Sequence, residues 1–189
     1  MKKWWRVPVL VTLLLGAAAA GLGAQSETRK TQVLFGPRLG ASVAVMGQPV
    51  FNNAMQLLFR DDEKDYFPIF TQMGFEAEQL LPLGDSLNAL TVSELFLLGG
   101  LDQGLALPNG SLIIGFRSAG GFEAGLGPYV TIVAPEGELR LAAAVVYAIG
   151  YDFPMKGFSL PITLTMVPLP SYSNPQITIL AGFNFPGVD

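Results

Sequence analysis

The sequence predicts an all-β fold, an up-and-down antiparallel barrel of eight transmembrane strands. Three observations carry this. The segment GFEAGLGPYVTIV, Gly121 to Val133, sets Phe122, Ala124, Leu126, Pro128, Val130 and Ile132 on one face and Glu123, Gly125, Gly127, Tyr129 and Thr131 on the other. That is a strand with an oily side and a polar side. The polar side is mostly glycine rather than the Lys and Glu of a solvated face, which suits a crowded lumen. Second, half of the residues are apolar and 14% are charged, yet no run after the N-terminus approaches the ~20 apolar residues of a spanning helix. The strongest run, Leu139 to Ile149, is about half that length. Third, the same alternation recurs along the chain, as it must where each strand shows lipid every second residue.

Taken in order, the chain begins with a basic start (Lys2, Lys3, Arg6), an apolar run from Val7 to Leu15 and small residues ending at Gly23 and Ala24. These are the parts of a secretory signal peptide over residues 1–24. The alternative, an uncleaved anchor, needs a longer apolar run. Cleavage removes those three cations and no acid from a formal charge of −4, so nucleic acid is excluded as a partner. The chain has no cysteine, which excludes disulfides, a lipoprotein acyl anchor and thiolate metal sites.

A polar lead from Gln25 to Gln32 precedes the first strand, about Phe35 to Met46. The longest connection follows, Gly47 to Asp65, with a helical turn from Asn53 to Phe59 and the charged run Arg60, Asp61, Asp62, Glu63, Lys64, Asp65. It is expected outside the cell. The second strand runs from about Tyr66 to Gln79 and turns at Pro82 to Asp85. The third, about Asn88 to Leu98, breaks the alternation at LFLLGG and reads equally as a buried strand or a short helix. A loop from Asp102 to Gly110 leads to the fourth strand, Ser111 to Arg117, and Ser118 to Gly120 turns into the fifth, described above. Within it Pro128 lacks a ladder donor and requires a bulge or an early strand end. After Ala134 to Gly137 the sixth strand alternates to Ile149. A turn at Pro154 to Gly157, a seventh strand from Ser159 to Val167 and a last from Gln176 to Phe185 complete the set.

With the N-terminus on the periplasmic side, the periplasmic strand ends carry Phe35, Phe75, Phe116, Phe122, Tyr151, Phe153, Phe158, Phe183 and Phe185, the pattern of an interfacial aromatic girdle. The inward faces carry Arg38, Glu76, Glu78, Arg117, Glu123 and Arg140. An eight-stranded lumen is narrow enough for side chains to fill, and charges there need partners. These six are therefore expected to form an ion-pair network closing the lumen, with glycine and alanine opposite giving them room.

The signal peptide, the alternating segments and the stretches TQMGFEAEQ, GGFEAGLGPYVTI and QITILAGFNF together resemble the small bacterial outer-membrane β-barrel proteins, the class of the OmpA transmembrane domain and OmpX. The resemblance covers about Phe35 to Phe185 and is one of pattern, without a catalytic signature. It implies a structural, adhesive or envelope-maintenance role in the outer membrane, with lipid and the barrel assembly machinery as partners. The class usually ends on an aromatic residue read by that machinery, whereas Phe185 is followed here by Pro186, Gly187, Val188 and Asp189. The long outer loops of the class are reduced to one.

The chain has no histidine, so a Ser-His-acid triad cannot be built. Glu76 and Glu78 share a strand face at about 6.5 to 7 Å, a spacing known from glycoside hydrolysis, but the arginines on that face hold both acids ionised. The run Asp61 to Asp65 offers carboxylates to a cation and reads more simply as a solvated loop. No catalytic residue, metal or cofactor is expected. The expected protein is a non-enzymatic structural or surface-interaction barrel that meets a surface ligand through residues 47–65. Two alternatives are a narrow channel, in which the same charges line a water path, and a soluble lipocalin-like barrel with the faces reversed around an apolar ligand.

Overall fold

The computed structural model describes residues 31–84, 87–133, 140–168 and 175–187. The expected signal peptide, residues 1–24, and the expected turn at Ala134 to Gly137 lie outside the described residues. The strands are β1 (Gln32–Ala44), β2 (Ile69–Pro82), β3 (Ala89–Gly99), β4 (Leu107–Arg117), β5 (Phe122–Val133), β6 (Arg140–Pro154), β7 (Ser159–Pro168) and β8 (Pro175–Gly182), with a two-residue continuation β9 (Phe185–Pro186). Each pairs antiparallel with its sequence neighbour, and β8 and β9 pair with β1, which also pairs with β2. The sheet closes as an eight-stranded up-and-down barrel, because β9 continues β8 in the same register against β1.

The register fixes the size. Val33 pairs with Gln79, then the ladder passes through Val92, Ile114, Leu126, Tyr147, Met166 and Ile177 and returns to β1 at Val43. A ten-residue stagger over eight strands tilts them by roughly 40° and gives a backbone radius of about 8 Å. Side chains fill a tube of that width.

Burial alternates as the sequence expects. Leu39, Phe122, Leu126 and Ile179 are half exposed or more on the outside, while Arg38, Ser42, Gln72 and Leu180 are sealed inside. This overturns the lipocalin-like alternative, which needs Leu39, Val43, Phe122 and Leu126 inward: Leu126 is 55% exposed and Arg38 2%. Among the described strand residues, Glu94 is the one charged side chain on the outward face, between buried Ser93 and Leu95.

One open reading is settled and one local expectation changes. The third segment is a strand; its alternation is hidden because Leu95 and Leu97 point into an interior that is itself apolar at that height. Pro128 needs no bulge or early end. The β4 ladder drops its rungs between Ser111–Tyr129 and Ile114–Leu126 and resumes in register, while the β6 ladder runs unbroken, so the missing donor costs only local rungs. Pro37 also lies inside a strand, β1, and the interruption between β8 and β9 falls opposite it.

The long connection folds as helix α1 (Gln48–Phe59), longer than the expected turn, with proline in its first turn and Arg60 closing it in a left-handed conformation at φ 53°. Phe51 and Met55, one turn apart, are buried against Ala44, Tyr66, Phe70 and Leu105. The helix therefore lies over one mouth of the barrel. At the other mouth the described turns are short: Ser118 to Gly121 and Met155 to Phe158.

Candidate functional site in the barrel lumen

The interior is layered along the barrel axis. Nearest the short turns lies an ionic layer. Arg38 Nε donates to Glu76 Oε2 at 2.7 Å, and its Nη1 donates to the carbonyls of Pro37 and Phe183, each at 3.1 Å. Its Nη2 donates to Asn184 Oδ1. Arg117 meets three carboxylates: Glu78 through Nη2, Glu123 through Nε and Asp152 through Nη1, the last at 3.1 Å. Glycine makes the space where expected: a Cβ on Gly182 would stand 2.7 Å from Arg38 Nη1.

Five of the six residues expected inside thus stand in two ion-paired groups. The sixth, Arg140, opens β6 at the opposite mouth, a strand length from Asp152, and its side chain lies outside the described residues. The sequence reading missed Asp152 and Asn184 because it stopped the sixth strand at Ile149 and read the last strand for its oily face alone. Carrying the alternation on from Ala148 would have placed Asp152 inward. Glu76 and Glu78 are held by different arginines, so the pair does not face a common space as a glycosidase pair would.

Above the ionic layer, apolar side chains pack across the interior: Leu95, Leu97 and Leu180 in one cluster, Ile113, Tyr129, Val146 and Val167 in another. Of these, the alternation in the sequence placed Tyr129 on the inward face and singled out none of Leu95, Leu97, Ile113, Val167 and Leu180. Next comes a hydrogen-bonded layer. Ser42 and Thr178 share a 2.6 Å bond, Gln72 Nε2 donates to Ser42 Oγ at 3.0 Å, Gln176 Nε2 to Ser42 at 3.2 Å, and Asn109 Nδ2 to Gln72 Oε1 at 3.3 Å. Helix α1 covers this layer. The cavities within the stack are separate and small, about 50 Å³ beneath α1 and about 30 and 10 Å³ lower down.

The helix is tied to the barrel rim by a polar web. Tyr66 N donates to Asn52 Oδ1 at 2.8 Å, Gln56 Nε2 to the Lys64 carbonyl at 2.9 Å, and Gln103 Nε2 to the Ile69 carbonyl at 2.7 Å. Asp102 Oδ1 accepts from Thr71 N at 3.0 Å and Thr71 Oγ1 at 2.7 Å. Slight burial raises the Asp102 pKa, but these bonds and its own and Gln103's backbone N–H outweigh it and hold the carboxyl below its ordinary value. Desolvation, with the charge of Asp61, pushes the Tyr66 phenol up. Arg60, Asp62, Glu63, Lys64 and Asp65 are exposed and Asp61 half-buried. Among the described residues no group of three or more acids is placed to hold a metal ion.

The expected girdle gathers at the short-turn end. Tyr151 and Phe153 lie 4.6 Å apart between ring centres, and Phe158, Phe183 and Phe185 form a trio at 5.9 to 6.4 Å. Phe35 pairs with Phe185, and Phe122 with Tyr151. Phe75 stands apart, in mid-strand opposite Phe96, because β2 runs on to Pro82.

No family model matches the chain, and no curated protein matches it. Two solved structures of Ail, the attachment invasion locus protein of Yersinia pestis, one in complex with the heparin analogue sucrose octasulfate, are similar at 12% identity. They cover 83% of this chain and 97% of Ail, with TM-scores of 0.47 and 0.48. The architecture described above rests on the strand ladder and not on that likeness.

Proposed function

We propose that the chain is a non-catalytic outer-membrane barrel, exported by a signal peptide cleaved after Ala24, with a structural or surface-interaction role and an interior that does not conduct. The observation that carries this reading is the inversion of polarity. A closed barrel whose outside presents Leu39, Phe75, Leu126, Ile149 and Ile179 at more than half exposure, while Arg38 and Glu78 are 2% exposed, is ordered for lipid rather than water. The aromatic cluster at the short-turn end fits the periplasmic interface. Assembly machinery and lipid are the partners this reading requires.

A non-conducting interior is supported by the stack of ionic, apolar and hydrogen-bonded layers, within which the cavities beneath α1 and among the strands measure about 50, 30 and 10 Å³. With α1 lying over the mouth, the contact surface for a ligand is the outer side of that helix, with Val50 and Leu57 exposed, together with the charged run Arg60 to Asp65. The test is gel migration of unboiled against boiled protein after membrane fractionation, followed by planar-bilayer recording. A heat-dependent mobility shift, a membrane-bound pool and no unitary current are expected. Soluble protein with one mobility would remove the membrane reading; steady unitary currents would replace the closed barrel by the channel.

A further inference from the structure

The outer wall carries one acid where lipid is thickest. Glu94 is the sixth of the eleven residues of β3, so at a rise of about 3.3 Å per residue and a tilt of roughly 40° it lies about 13 Å along the axis from either end of the strand. That is the middle of the ~25 Å apolar band of a spanning barrel. Its side chain is half-buried on the outward face, opposite Ala77 on β2 and Leu112 on β4. Among the described residues neither a hydrogen bond nor an ion pair holds its carboxyl. An acid at mid-depth is costly to leave against hydrocarbon and calls for a partner.

The wall around it is uncovered and partly flat. Phe75 and Phe96, opposite one another in the ladder, are 63% and 62% exposed, more than any other aromatic side chain among the described residues. The Phe96 ring lies over Gly110, 3.6 Å from where a Cβ would stand, and Ala77 is too short to shield the carboxyl. A partner must bring a hydrogen-bonding group to the same depth, which a molecule in water does not reach. A second copy does so by symmetry. Inserted the same way round and related by a twofold axis along the membrane normal, it keeps every residue at its own depth, so Glu94 faces Glu94. No described strand residue on the outward face is cationic, so the two acids meet through a shared proton rather than an opposite charge. We propose that the β2–β3 wall is the interface of a homodimer in the membrane, with the two Glu94 carboxyls hydrogen-bonded across its axis, one proton between them. This rests on the membrane reading above.

The chain has no cysteine, so single cysteines report contacts cleanly. The full chain carrying Ala77→Cys is refolded into phospholipid vesicles and oxidised over a range of protein-to-lipid ratios, beside Leu164→Cys on β7, four strands round the barrel. Ala77→Cys is expected to cross-link in pairs and Leu164→Cys to stay at the collisional level. Adding Glu94→Leu is expected to weaken the pairing about tenfold, and Glu94→Gln, whose amides still hydrogen-bond to each other, to keep it. Equal yields at the two walls, no cross-link at either, pairing undiminished in Glu94→Leu, or Glu94→Gln as weak as Glu94→Leu would overturn the proposal. Phe96→Cys on the same wall replaces Ala77→Cys should that variant fail to insert. The heat-dependent mobility shift, read on the same samples, separates the two failures: retained without pairing, it leaves the membrane barrel and removes the dimer; absent, it removes both.

Discussion

The two ends of the barrel solve the same problem with different means. At the helix end, Phe51 and Met55 seat α1 on Ala44, Tyr66, Phe70 and Leu105, and neutral Gln, Ser and Thr side chains satisfy one another beneath it. At the short-turn end no described residue outside the strands and turns covers the lumen, and two arginines hold four carboxylates beside an open cavity. Among the described residues the neutral end leaves no buried side-chain polar atom without a partner, whereas the ionic end leaves two, Asp152 Oδ1 and Asn184 Nδ2.

Substitutions at each end should break this contrast in different ways. The largest effect is expected from Arg117→Ala, which leaves Glu78, Glu123 and Asp152 facing one another; loss of about 3–5 kcal/mol in urea unfolding follows from stranding buried charges. A loss below about 1 kcal/mol would mean that the ionic layer does not hold the barrel. Phe51→Ala should weaken docking of α1 by about 3 kcal/mol, seen as faster amide exchange in the helix with strand protection retained. Joint loss of helix and strand protection would make α1 part of the barrel's cooperative unit rather than a cover. Ser42→Ala removes the shared centre of the neutral layer and should cost about 1–2 kcal/mol, because Thr178 and Gln72 lose a buried partner; an unchanged unfolding midpoint would put water there instead.

The smallest effect is on pH. The folded pKa of Asp102 is lowered, so its contribution is present above the ordinary aspartate range and lost as pH falls through the lowered value. Protection of the Thr71 amide, which donates to Asp102, should fade over that acid window and be unaffected by alkali. Protection that is flat through the acid range would remove Asp102 from the tie between the rim and β2.

What the sequence made legible was local. Alternation placed Leu126 outward and Tyr129 inward because a strand's period is two and one face meets a different medium. It placed Arg38 and Glu76 inside for the same reason. What it hid was non-local or two-sided. β3 carries apolar residues on both faces, since Leu95 and Leu97 meet Leu180 within the lumen, so no period could be read. Asp152 was missed through a strand end set too early, and Arg140 was grouped with the other charges because parity gives a side chain's direction and says nothing of its height along the axis. The spacing of Phe51 and Met55 marks an apolar helical face, but the surface it covers depends on a register that closes only after all eight strands have paired.

The central claim is the direction of the two faces, and tryptophan quenching by brominated lipid tests it most directly. With Trp4 and Trp5 replaced by Phe, a single tryptophan is placed at Leu126, 55% exposed, or at Tyr129, 5% exposed, three residues along the same strand. Strong quenching at position 126 and little at 129 is the expected result. Equal quenching at both, or the reverse order, would contradict it.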